Sequence, residues 1–250
     1  MIQNSFIFLE RVKKGVENKL WKQGIDSWDT FLEAKDIDGL SLARKKYYDR
    51  KIIEARHALY NFNSAYFKSL LPQSEYYRLY DFFKDNCVFL DIETTGLDFR
   101  RNDITVIGLF DGLETKTMIK GINLDYDGLK SELAKHKLII TFNGASFDIP
   151  KMEKYFSARI RIPHIDLRHV LSKIGHTGGL KKIEKDLGIQ RPEEVLAFDG
   201  QAAVDAWKMW KATGDRRFLE LLIKYNEEDV INLKPLAKMA VKELWKQTRE

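Results

Sequence analysis

Cysteine occurs once in the 250 residues, as Cys87. A single thiol excludes an internal disulfide, a CxxC redox pair and a cysteine-rich zinc site. It fits a reducing compartment, so a cytoplasmic location is expected. No apolar run approaches the ~20 residues that cross a bilayer. No charged-then-apolar leader opens the sequence, so no membrane partner is expected. An excess of one charge is also lacking: 42 Lys and Arg stand against 37 Asp and Glu, a net charge of +5. That mild basicity permits a polyanionic partner without requiring one. Length and an apolar fraction of 44% allow one large α/β domain, or one with a small companion.

Glycine and proline are scarce between Gly39 and Asn86, and Tyr76, Tyr80 and Phe83 recur at helical spacing. Residues 1–86 therefore read as a helical region, with Ser41 and Ser74 as N-caps and Pro72 separating two helices. Leu20–Phe31, LWKQGIDSWDTF, reads as a helix, a glycine-closed turn and a second short helix. It resembles part of a helix-hairpin-helix unit, but Lys13, Lys14 and Gly15 stand where that family has a Gly-apolar-Gly hairpin. Arg44, Lys45, Lys46, Arg50 and Lys51 interleave with Tyr47 and Tyr48, a pattern that suits either a nucleic-acid strand or a solvated helix face.

From Cys87 the pattern changes. Cys87–Thr94, Asp103–Asp111, Thr115–Gly121, Lys137–Asn143 and Arg161–Leu167 read as strands, and Asp125–Lys135 as a helix between them. Helices follow around His169–Ile174, Leu180–Leu187 and Gln201–Ala212, and a long one starts at Asp215. The fold class is α/β: a sheet core with a helical C-terminal half.

Three stretches carry acids of interest. VFLDIETTG, Val88–Gly96, puts Asp91 and Glu93 on one face of a strand and Val88, Leu90 and Ile92 on the other. Like charges so close repel unless a cation lies between them. After the apolar strand KLIITFN comes Asn143-Gly-Ala-Ser-Phe147-Asp148-Ile-Pro150, where Pro150 suits a first helical turn and Asp148 is either a cap or a ligand. Last, Tyr225 and Asp229 stand four apart on a helix whose apolar stripe includes Phe218, Leu222 and Leu236. A carboxylate in such a stripe costs free energy unless it is paired or metal-bound.

D-x-E at a strand end, N-x-x-x-F-D, then Y-x-x-x-D on a late helix together resemble the three motifs of the DEDD (DnaQ-like) 3′–5′ exonucleases, within the ribonuclease H-like fold. Tyr225 matches the tyrosine branch, DEDDy. The pattern is shared with proofreading domains of family-B DNA polymerases and is most similar to stand-alone YprB-type exonucleases. Those also show stretches like His164-Ile165-Asp166-Leu167 and Gly178-Gly179-Leu180-Lys181 with a following Glu184. The resemblance covers roughly residues 87–240.

The resemblance implies a mixed sheet flanked by helices over residues 87–250, preceded by the small all-α region. It implies phosphodiester hydrolysis at single-stranded DNA or RNA 3′ ends with two ions of Mg²⁺ or Mn²⁺. Asp91 would bridge the ions, Glu93 and Asp229 would complete one site, and Asp148 would hold the other ion. Tyr225 would orient the attacking water, since a phenol with a pKa near 10 is a poor base at neutral pH. Thr94, Thr95 and Leu97 would touch the terminal nucleotide, and Asn143 and Phe147 would shape the cleft, although Phe147 reads equally as core. Gly178–Lys182, which opens a helix with Lys181 and Lys182, suits either a phosphate or an ordinary N-terminal turn. Asp166, with His164, competes as a ligand but reads as well as a structural pair or a helix cap. Two alternatives stand beside exonuclease action: a catalytically silent binding module of the same fold, and a structure-specific endonuclease using the same metals.

Overall fold

The computed structural model describes residues 1–96 and 103–250. Five helices precede the sheet: α1 (Lys14–Lys22), α2 (Trp28–Glu33), α3 (Leu42–Tyr60), α4 (Ser64–Lys68) and α5 (Tyr80–Phe83). Ser41 caps α3 as expected, its hydroxyl accepting the Arg44 amide N–H. Ser74 does not cap: Pro72 opens a 3₁₀ stretch, Gln73–Leu79, whose N-cap makes no side-chain bond. Gly24, at φ +80, turns the chain between α1 and α2, whereas Gly15 lies inside α1. Among the basic residues singled out, Lys45 is buried against Asp49, Lys51 pairs with Glu54, and Arg44 lies over the Tyr48 ring.

The sheet is mixed, in the order β3-β2-β1-β4-β5. Its strands are β1 (Cys87–Thr94), β2 (Ile104–Phe110), β3 (Thr115–Ile119), β4 (Leu138–Thr141) and β5 (His164–Asp166). β1 pairs antiparallel with β2 and parallel with β4, so it is the central strand. Between β3 and β4 runs α6 (Tyr126–Ala134), and α7 (Asp148–Tyr155) follows β4. After β5 come α8 (Leu167–Lys173), α9 (Leu180–Asp186), α10 (Glu193–Leu196), α11 (Gly200–Thr213) and α12 (Arg216–Arg249).

Alternation along β1 divides the core in two. Val88, Leu90 and Ile92 pack with Leu129, Leu133 and Met152 of α6 and α7. Cys87 and Phe89 face the other way, into a cluster that joins the sheet to α8, to the second half of α12 and to the N-terminal helices. Phe6, Trp28, Phe31 and Phe67 belong to that same cluster, so the N-terminal helices share a continuous core with the sheet. A buried polar knot reinforces the junction: the Glu17 carboxylate accepts from the Phe6 and Ile7 amides, the Ser5 hydroxyl and Arg78 Nη1. Asp91 and Glu93 follow Cys87 and Phe89 in phase and so point to the α12 side, where the apolar packing gives way to a cleft. Among the described residues no helix is long and apolar enough to cross a membrane.

Candidate active site

Asp91, Glu93 and Asp229 each offer a carboxylate oxygen within 4.8 Å of the others. β1 supplies the first two and α12, crossing the sheet, supplies the third. Asp148, readable from sequence as a cap or a ligand, does not act as a cap. It is the first residue of α7 and leaves its helix uncapped; its Oδ1 instead accepts the Ile92 amide N–H at 3.1 Å, between Asp91 and Glu93. Tyr225 lies one turn before Asp229 and is 8% exposed, packed against Phe198 with ring centres 5.1 Å apart.

These five side chains line one cleft of about 210 Å³, together with Thr94, Asn143 and Phe147. An adjoining cleft of about 320 Å³ shares Asp91, Tyr225 and Asp229 and is bordered by Lys181 and Lys182. The Lys181 ammonium lies 5.1 Å from the centre of the Tyr225 ring. Thr95 lines neither cleft; its hydroxyl accepts the Asp103 amide and fastens the strand end. Leu97 lies outside the described residues. A larger cleft of about 680 Å³ between the N-terminal helices carries ion pairs of Lys14 with Glu75 and Lys51 with Glu54.

Charge sets the chemistry of the site. Burial, then repulsion from Asp148, Asp229 and Glu93, holds the Asp91 carboxyl well above the usual range. Burial followed by Asp229 and Asp148 does the same to Glu93. Burial pushes Asp148 up to about 7, and Asp229 up to about 6 against the opposing pull of Arg191. The Tyr225 phenol is driven far above its ordinary value by burial and by the same carboxylates, so at neutral pH it is a donor and never a base. Arg191 does not balance the cluster, because Glu184 already holds it. Clustered hard oxygen donors that repel one another fit a divalent cation such as Mg²⁺ or Mn²⁺.

Asp166 sits apart from this cluster as an organiser of the loop before α7. Its carboxylate accepts the amides of Asn143 at 2.8 Å, Ala145 at 3.0 Å and Arg168 at 3.0 Å, the last capping α8. Those bonds hold Asn143 in a left-handed turn, φ +65, while Arg168 Nη1 binds its side-chain oxygen at 2.7 Å. His164 hydrogen-bonds the Thr141 hydroxyl at 2.8 Å and is kept neutral by burial, which lowers its pKa to about 4.

Two contributions are given no role by motif reading. Asn226, which with Tyr225 precedes the last acid in the motif, donates from Nδ2 to Asp91 Oδ2 at 2.9 Å. It reaches that far because Gly108 of β2, directly opposite Asp91, has no side chain. A glycine within a fully buried strand is the signal that marks such a close approach. The other is Arg191, whose Nη2 donates to Asp229 Oδ1.

No curated protein matches the sequence. Among solved structures, the chain is similar to Brucella melitensis NrnC, with 20% identity and a TM-score of 0.50 over 68% of this chain and 79% of that one. It is also similar to Escherichia coli RNase D, described as an exoribonuclease involved in structured RNA processing, at 17% identity and TM-score 0.46 over 71% and 48% of the two chains. The family B DNA polymerase of Pyrobaculum calidifontis aligns at 14% identity and TM-score 0.46, over 63% of this chain and 24% of the polymerase. At 20% identity the likeness to NrnC speaks to fold alone. The family model of the RNase_H superfamily matches residues 88–241, which run from β1 into the second half of α12 and include all four acids of the cleft. With more than half of its length so matched, the chain belongs to the RNase_H superfamily.

Proposed function

We propose that this protein is a metal-dependent 3′–5′ exonuclease of the DEDDy, YprB-like type, hydrolysing phosphodiester bonds at single-stranded DNA or RNA ends. The observation that carries the reading is the convergence of Asp91, Glu93, Asp148 and Asp229 with a protonated Tyr225 on one cleft. Asp91, Glu93 and Asp229 would hold one divalent cation, and Asp148 with Asp91 a second. Ions bound there would supply an activated water and neutralise charge on the phosphate and the leaving oxygen. The chain's own groups do the rest. Tyr225 donates a hydrogen bond that orients the attacking water. Lys181, on the adjoining wall, meets a phosphate of the strand. Thr94, Asn143 and Phe147 wall the pocket for the terminal nucleotide.

The test is end-labelled single-stranded DNA and RNA incubated with Mg²⁺ or Mn²⁺. A ladder shortening from the 3′ end, abolished by chelator, is the expected result. Internal products appearing first would make the protein an endonuclease. Absence of cleavage despite bound metal would make it a binding module.

The raised carboxyl pKa values give a stability prediction. In metal-free protein the folded state keeps protons on Asp148 and Asp229 that the unfolded chain releases near pH 4. His164, held neutral down to about pH 4, opposes this with one proton that only the unfolded chain binds below about pH 6.5. The two acids outweigh it, so the native state binds more protons between about pH 4 and 7 and its stability falls as pH rises through that window. Melting in chelator is expected to occur several degrees lower at about pH 8 than at about pH 5.5. Millimolar Mg²⁺ should restore most of the loss at the higher pH and do little at the lower, because cation binding needs the ionised acids. A chelator melting curve that climbs with pH over this range contradicts the assignment.

A further inference from the structure

Arg191 lies in the loop after α9, far in sequence from every acidic motif, yet its side chain is only 3% exposed. Glu184 grips it with two bonds: Nε donates to Oε2 at 2.6 Å and Nη2 to Oε1 at 2.8 Å. The same Nη2 donates to Asp229 Oδ1 at 2.5 Å, and the guanidinium carbon stands 5.8 Å from the Tyr225 ring centre. Nη1 is buried without a hydrogen-bond partner.

A buried ion pair between Glu184 and Arg191 adds no net charge to the site, so it does not offset the four carboxylates. It also leaves a donor unsatisfied, which is a poor arrangement for stability alone. What the pair does provide is orientation. A planar fork fixed by two bonds to one acid cannot swivel, so its third bond fixes the plane of the Asp229 carboxylate. That bond engages Oδ1 of the Asp229 carboxylate.

We propose that the Glu184–Arg191 pair is the positioning element of the metal site, holding Asp229 as a one-oxygen ligand and thereby setting the affinity of the cleft for a divalent cation. The assignment rests on the metal-dependent nuclease reading above. It also couples the site to the strand-binding wall, because Glu184 shares α9 with Lys181 and Lys182. A lysine at position 191 would keep the charge but lose the fork.

The experiment compares wild type, Arg191→Lys and Glu184→Gln by calorimetric titration with Mn²⁺ and Mg²⁺ and by melting in chelator. Cleavage of a labelled oligonucleotide is followed across a Mg²⁺ series. Arg191→Lys is expected to weaken cation binding by about 10- to 100-fold and to move the Mg²⁺ midpoint of cleavage upward by the same factor. The rate deficit should shrink as Mg²⁺ is raised, and Glu184→Gln should shift both readouts in the same direction by less. Should Arg191→Lys fail to fold, the double variant Glu184→Leu/Arg191→Met, which removes both buried charges together, replaces it with the same expected loss of affinity. Wild-type cation affinity in the folded variant overturns the proposal. If the wild-type protein itself binds neither ion, it is the nuclease reading that fails; if wild type binds and the variants match it, only the role of Arg191 does.

Discussion

Asp91→Asn is expected to lower the rate of strand cleavage by about 10³-fold or more, roughly 4 kcal/mol of lost transition-state stabilisation. The change is isosteric, so the fold and the Asn226 contact region stay in place while one charge leaves the centre of the cluster. Asp91 is the residue with most to lose. It shares the oxygen cluster with Glu93 and Asp229, and it lines both halves of the cleft. Its carboxyl is also raised by every other acid of the site, which means that its removal relieves repulsion. The same variant should therefore melt higher than wild type in chelator, by several degrees, while gaining little from added Mg²⁺. Opposite signs for activity and metal-free stability separate a functional acid from a structural one. Equal cleavage by wild type and variant, or a variant that melts lower in chelator, would falsify this account of the cluster.

The phase of β1 and the late apolar helix were legible in the sequence because each rests on local periodicity. Cys87–Thr94 is a strand with the expected bounds, and Asp91 and Glu93 share its α12 face. The outer strands are shorter than their apolar runs suggest. The expected strand Lys137–Asn143 pairs only over Leu138–Thr141, because the chain must swing into the left-handed turn at Asn143 that Asp166 holds. Arg161–Leu167 likewise pairs only at His164–Asp166, where Asp166 ends the strand by capping α8. Ser74 looked like a cap because its residue type is right, but Pro72 starts the turn two residues earlier with its fixed φ. Asp148 was visible as an acid near a helix start; that its carboxylate turns to the Ile92 amide depends on α7 packing against β1, which no local pattern encodes. Arg191 was illegible for the same reason: 38 residues separate it from Asp229, and only the tertiary fold brings them together.

Gly108→Ala is the test of that tertiary fit. The strand around Gly108 is buried throughout, and a glycine there forfeits packing and backbone entropy unless something needs the space. A Cβ at this position would lie 2.0 Å from Asn226 Oδ1 and 2.9 Å from its Cγ. Asn226 is fully buried on α12, so it cannot swing into solvent without moving the helix that also carries Tyr225 and Asp229. Overpacking of this kind costs about 1–3 kcal/mol, or roughly 2–12 °C in melting temperature. Activity is expected to fall by about 10- to 100-fold as well, since the bond that orients Asp91 is lost. Asn226→Ala alone should reduce activity through that same bond without the clash. The double change Gly108→Ala/Asn226→Ala should then melt higher than Gly108→Ala while remaining as slow as Asn226→Ala. That non-additivity is the signature of two residues in contact. If Gly108→Ala cleaves and melts like wild type, Asn226 is not held against β2, and the orientation of Asp91 must come from elsewhere.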